Sequence, residues 1–277
     1  MKLLFIRHGD PSYENDSLTP QGVKEARCLA AKLVKTHIDK IYVSPLGRAK
    51  KTAKYYFDAS GRSADAILDW LQEFRGRCER PDRDGESICW DWLPQDWMSF
   101  TPFYDKDHWF EHPVFKDTNV KSEYDYVTAE FDKLLAENGY RRNGAAEFST
   151  ATEDIKDANE VNTVKKRGRG RKKKLLDGAY YRAEQPNNMT IAFFCHFGIE
   201  AVFLSHLLGI SPMVLWHTTV AAPSSVTTVV TEERREGIAS WRMQSYGDLS
   251  HLYAFGVEPA FAARFCECWK NEDERHD

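Results

Sequence analysis

Residues 3–6, Leu3-Leu4-Phe5-Ile6, form an unbroken apolar run that stops at Arg7-His8-Gly9. A short apolar run rich in β-formers reads as a strand buried on both faces. Such strands belong to parallel sheets covered by helices, so the expected fold class is α/β. A parallel strand that ends in a cation, an imidazole and a glycine delivers all three to the carboxyl edge of its sheet. That edge is where open α/β sheets build their sites. Arg7 presents a planar fork suited to phosphate or carboxylate oxygens. His8 can serve as nucleophile or base near neutral pH. The alternative is a strand end with a solvated basic pair, and the tripeptide alone does not decide between them.

The following segments repeat this alternation. Thr19-Pro20 opens a helix with an N-cap and a proline at its first position, and Val23, Ala26, Leu29, Ala30 and Leu33 continue at helical spacing. Lys40-Ile41-Tyr42-Val43 is a second strand. Ser44-Pro45 is expected to start a second helix in the same way, with Arg48 in its first turn and Thr52 one turn later on the same face. A helix N-terminus attracts anions, and Arg48 would strengthen that effect. Residues 190–195, Thr190-Ile191-Ala192-Phe193-Phe194-Cys195, form a third buried strand. It ends in His196-Phe197-Gly198, and a helix follows over 199–208. His196 therefore repeats the context of His8. Residues 225–231 and 239–246 read as an antiparallel pair.

Composition excludes several classes. The chain has 277 residues and a net charge of −4, so the molecule as a whole is not built to coat nucleic acid. No apolar run approaches the length of a membrane span, and the short run that ends at Arg7 is not a signal peptide. The six cysteines contain no CxxC pair, which argues against a zinc knuckle and fits reduced thiols in the cytoplasm. His108 and His112 have the i,i+4 spacing of metal ligands, but no third ligand is organised around them and Pro113 follows directly. No metal and no cofactor is expected.

The middle of the chain departs from the α/β pattern. Residues 88–131 crowd Trp90, Trp92, Trp97, Phe100, Phe103, Tyr104, Trp109, Phe110 and Phe115 between prolines. This aromatic stretch can act as a lid over the site or as a small accessory core. Residues 165–174 are a basic block, most simply a solvated loop and weak evidence for a nucleic-acid role. The expected organisation is one domain over 1–277 with an insertion over about 76–178.

Four motifs in order now act jointly: Arg7-His8-Gly9, Leu18-Thr19-Pro20-Gln21-Gly22, Ser44-Pro45-Leu46-Gly47-Arg48-Ala49 with Thr52-Ala53, and Cys195-His196-Phe197-Gly198. In these the chain resembles the histidine phosphatase superfamily, branch 1, also called phosphoglycerate mutase-like. The resemblance implies a three-layer α/β/α sandwich around a mostly parallel sheet, to which the aromatic-rich insertion is added. It implies a metal-independent phosphomonoester hydrolase acting on a small-molecule phosphate. His8 would form a phosphohistidine, with its other ring N–H held by a backbone carbonyl in the Gly9 turn. Arg7, Arg48 and His196 would bind the phosphoryl group, His196 as a further cation if protonated. Glu73, in the Leu71-Gln72-Glu73 element where the family commonly carries its general acid, would protonate the leaving alcohol.

The chain continues after Glu73 with Phe74-Arg75-Gly76 rather than with the family's usual pattern, so Glu79, Asp82 and Glu86 stand as substitutes for the acid. The same residues lack the Arg-His-Tyr-Gly of the mutases, which favours a phosphatase over a mutase-type phosphotransferase. A non-catalytic phosphate-binding scaffold with a basic docking loop is the reading of a different class. The motifs do not fix the oligomeric state.

Overall fold

The computed structural model describes residues 1–143 and 180–260. The basic block at 165–174 lies outside the described residues. The central strands are β1 (Lys2–Arg7), β4 (Lys40–Val43), β5 (Ala66–Ile67), β10 (Thr190–Cys195), β11 (Val226–Arg235) and β12 (Ile238–Asp248), and the short strands β8 (Tyr140–Arg142) and β9 (Tyr181–Ala183) complete the sheet; β2 (Pro11–Ser12) and β3 (Ser17–Leu18) pair outside it. Its order is β5-β4-β10-β1-β11-β12-β9-β8. The half from β5 to β1 is parallel, and every pairing from β1 to β8 is antiparallel.

Alternation along the buried strands sorts the core into two layers. Leu4 and Ile6 face one side and pack with Leu29, Ala30 and Leu33 of helix α1 (Pro20–Leu33) and with Ala53 and Tyr56 of helix α2 (Gly47–Ser60). Leu3 and Phe5 face the other side, against helix α4 (Val120–Glu137) and helix α5 (Phe197–Leu208). Phe131 of α4 lies at the centre of this second layer. Its ring is 4.5 Å from Phe203 and 5.9 Å from Phe193, and Phe5 and Trp70 stand close by. The expected three-layer α/β/α arrangement is the one observed.

Helix α1 starts where its local signal places it: the Thr19 hydroxyl accepts from Gly22 N–H at 3.0 Å, and Pro20 is the first helical residue. Gly22 is required for a second reason. A Cβ there would lie 2.2 Å from the Asp10 carbonyl, and one on Gly9 would lie 2.7 Å from the Gly22 carbonyl. The turn after β1 therefore crosses the start of α1 with backbone against backbone.

Helix α2 starts at Gly47, not at Ser44-Pro45, and its cap is not Ser44. The Ser44 hydroxyl is engaged elsewhere, and a carboxylate from a distant loop takes over the capping: Asp16 accepts from Gly47 N–H at 2.5 Å and from Arg48 N–H at 3.5 Å.

The aromatic insertion extends the main core instead of forming a separate one. Its turns include helix α3 (Pro94–Trp97) and several 3-10 turns. Trp92, Phe103, Trp109 and Phe115 are buried in the same cluster as Leu3, Phe5 and Phe193. His112 accepts from Val114 N–H and caps a 3-10 turn, and His108 pairs with Glu111. Phe131→Ala should destabilise the protein by about 3–5 kcal/mol, because its cavity cannot collapse among rings held from four directions. Chemical denaturation of the two proteins measures this difference.

Candidate active site

Three neighbouring strand ends build the site. The parallel register sets Arg7 opposite Cys195, so His8 and His196 follow at the same height. Their ring centroids are 5.0 Å apart. The ladder extends one residue further on both sides: His8 N–H donates to the Cys195 carbonyl at 3.1 Å, and Ser44 N–H donates to the Phe194 carbonyl at 2.9 Å.

Hydrogen bonds fix the tautomers. His8 Nδ1–H donates to the Gly9 carbonyl at 2.7 Å, which leaves the Nε2 lone pair for chemistry. Arg48 Nε–H points at that lone pair from 3.3 Å. On His196, Nε2 lies 2.8 Å from the Ser44 hydroxyl. That oxygen accepts from Leu46 N–H and keeps its own O–H to donate; donated to His196 Nε2, it places the imidazole proton on Nδ1. His196 Nδ1 has no partner among the described residues, which leaves its N–H for a ligand.

Both imidazoles are held neutral. Burial lowers His8 well below the usual histidine range. Arg7 and Arg48 push it down further, against the pull of the Gly9 carbonyl. Burial, then His8, Arg48 and Arg7, lower His196 in the same direction. The protonation on which an added positive charge from His196 would depend is disfavoured by this burial, which leaves His196 as an N–H donor.

The two arginines are placed by opposite means. Arg7 is buried at the end of β1, donates to the Ala221 carbonyl at 2.5 Å and lies over the Phe197 ring. Arg48 pairs with Asp16 at 2.8 Å and packs beneath the exposed ring of Tyr13. Burial opposes the charge on Asp16, but the Gly47 and Arg48 N–H groups and the Arg48 guanidinium outweigh it and hold the carboxyl below its usual range. Thr52, one turn beyond Arg48, accepts from Gly9 N–H at 3.0 Å and pins the turn after His8.

Glu73 reaches the same space from the loop after a short 3-10 turn (Asp69–Leu71). Its Oε1 accepts from Phe74 N–H at 2.9 Å and from Ile199 N–H, in the first turn of α5, at 3.1 Å. Burial raises its carboxyl above the usual range, although those N–H groups and the Arg48 and Arg7 charges pull the other way. The substitutes stand apart from this group. Glu79 and Glu86 pair across a hairpin of β6 (Arg77–Glu79) and β7 (Glu86–Ile88), and Asp82 is locked to Arg80 at 2.6 Å.

No local sequence signal marks Asp16 or the backbone of Ala221 and Ser224, and the signal at Ser44 is that of a helix start. Asp16 and Ser44 act on partners far along the chain. The Ser224 N–H donates to the His8 carbonyl at 2.9 Å, a main-chain contact that carries no side-chain signal.

Two guanidinium groups, an N–H donor, a lone-pair imidazole and a buried carboxyl are thus gathered at the carboxyl edge of the sheet. Residues 3–104 match the family model of the histidine phosphatase superfamily (branch 1), and over that stretch the chain is similar to this superfamily. Among solved structures, a mutant phosphoserine phosphatase from Entamoeba histolytica in complex with phosphoserine is similar. It is 20% identical, with 91% of this chain and 98% of that one covered and a TM-score of 0.51. Mycobacterial hydrolase 2 is 17% identical over 89% of this chain and 90% of its own, also with a TM-score of 0.51. At these identities the likeness is one of fold. No curated protein matches the chain by sequence. Among the described residues no helix is long and apolar enough to cross a membrane.

A Cβ on Gly198 would lie 2.7 Å from Glu73 Oε1 and 2.8 Å from the Trp90 ring. Gly198→Ala should therefore displace the carboxyl and lower kcat/KM on phosphomonoesters by about 100-fold, with phosphate affinity little changed. Steady-state kinetics and phosphate inhibition on the same samples separate the two effects.

Proposed function

We propose that this chain is a phosphatase that hydrolyses a small-molecule phosphomonoester through a phosphohistidine on His8. The observation that carries the reading is the lone pair of His8 Nε2, fixed by the Gly9 carbonyl and held between Arg48 and His196. Arg7 and Arg48 neutralise the phosphoryl oxygens, and His196 Nδ1–H adds a hydrogen bond. His8 Nε2 attacks phosphorus, the bond to the leaving oxygen breaks, and the Glu73 proton moves to that oxygen. In the second half-reaction water gives its proton to Glu73 and attacks phosphorus. The phosphorus–nitrogen bond breaks, and phosphate and free His8 are restored. The protein's own guanidinium groups supply the positive charge throughout, so turnover is expected to be insensitive to EDTA.

A hydrolase is favoured over a phosphotransferase by the residues after Glu73, which lack the mutase pattern, and by the solved likeness to a phosphoserine phosphatase. Phosphoserine and compact relatives of it are the first substrates to test. The stacked rings of Phe74, Trp90 and Trp216 stand beside Glu73, so bulkier phosphate esters belong in the same substrate panel.

Hydrolysis of p-nitrophenyl phosphate in EDTA, with a rapid trap for an acid-labile phosphoenzyme, tests the mechanism. Turnover and histidine labelling are expected in the wild type and neither in His8→Ala. Turnover that survives in His8→Ala rules the reading out. Glu73→Gln should lose about 100-fold on alkyl phosphates but far less on p-nitrophenyl phosphate, whose leaving group needs no proton. Because Glu73 is raised, the wild-type rate on alkyl phosphates should persist above the usual carboxyl range and fall only as Glu73 loses its proton. In Glu73→Gln that alkaline limb should be missing.

A further inference from the structure

Alternation along β1 puts Leu3, Phe5 and Arg7 on one face of the sheet, and register carries that face to Cys195 and Thr227. Helix α5 packs against it. Glu200, one turn in from the N-cap His196, is 1% exposed. The Thr227 hydroxyl is the one described hydrogen-bonding group that stabilises its charge, and it stands at the limit of hydrogen-bond geometry. On the same face, Arg7 Nε–H is also buried and without a partner among the described residues. Two groups of opposite charge are thus buried on one face of the sheet, and the Arg7 charge pulls on the Glu200 carboxyl. Buried charges are tolerated when they compensate each other. The other groups facing Glu200 are Thr227 on β11, Glu73, Cys195 on β10 and Tyr246 on β12. Among these Arg7 alone is cationic.

We propose that Glu200 is a positioning residue for Arg7: its carboxyl is the counter-group behind the guanidinium, and its charge state sets how much of the Arg7 charge a bound phosphoryl group receives. The inference rests on the reading of Arg7 as a phosphate ligand. Burial pushes Glu200 up to about 8, with Thr227 and Arg7 pulling it down and Glu73 adding to the rise. At neutral pH the carboxyl keeps its proton, and Arg7 is left to the ligand. As pH rises through about 8 it ionises, offsets Arg7 and repels an incoming dianion. Phosphate affinity then falls, and by linkage bound phosphate holds the proton on Glu200.

The test is the Kd of inorganic phosphate for wild type and Glu200→Gln across the pH range, read as a ratio so that the titration of phosphate itself cancels. Near pH 6 the ratio should be about 1, and near pH 9 the wild type should bind up to about tenfold more weakly than the variant. Glu200→Asp keeps an ionisable group one methylene further from Arg7, so it should show a smaller loss of the same sign. A ratio that stays flat with pH while both proteins bind phosphate overturns the role of Glu200 and leaves the site reading intact. Absence of phosphate binding in the wild type overturns both. If Glu200→Gln does not fold, Glu200→Asp decides: a pH dependence equal to that of the wild type, or none, overturns the proposal.

Discussion

The parallel pairing of β1 with β10 is the constraint on which the rest of the site depends. Two neighbouring strands running the same way end at one edge, and their register makes the residues after Arg7 and Cys195 neighbours. Because β4 joins β10 in the same sense, Ser44 arrives beside His196 by the same rule. A shift of one residue in either pairing would turn each of these side chains to the opposite face. The long apolar stretches 3–6 and 191–194 are therefore more than core: they hold the register that brings the imidazoles together.

Within that frame one physical cause acts on two kinds of group. Burial between cations keeps His8 neutral, so it retains a nucleophilic lone pair at acidic pH, where an exposed histidine would be charged. The same burial acts on Glu73 in the opposite sense and keeps a carboxyl protonated where an exposed one would be ionised. Desolvation favours the uncharged form of each, which is the base for one and the acid for the other. The N–H groups of Phe74 and Ile199 moderate this on Glu73, leaving it able to lose and regain its proton.

Much of this was legible in the sequence. Apolar runs announced the buried strands, Thr19-Pro20 announced α1, and the histidines at matched strand ends announced the edge that carries the site. The residues that escaped notice act over long distances. Ser44-Pro45 looks like a helix start because the local signal for a cap is a hydroxyl before a proline, yet that hydroxyl serves His196 instead. Asp16, in what reads as an ordinary polar loop, caps the helix in its place. The insertion showed its composition but not its packing. Its aromatics follow no helical or alternating period because they sit on short turns, and what organises them is the sheet face they cover.

That last feature bears on how such a chain can change over evolutionary time. Trp109 meets Trp216, and Trp216 stacks on Trp90 beside Glu73, so an unbroken line of rings runs to Glu73. A segment that grew from the surface as a loop could be shortened or exchanged freely. This one could not be removed in a single step without exposing the sheet behind it. Change within this segment is thus confined to exchanges that conserve ring volume, and whatever its rings contribute beside Glu73 is inherited together with the stability of the fold.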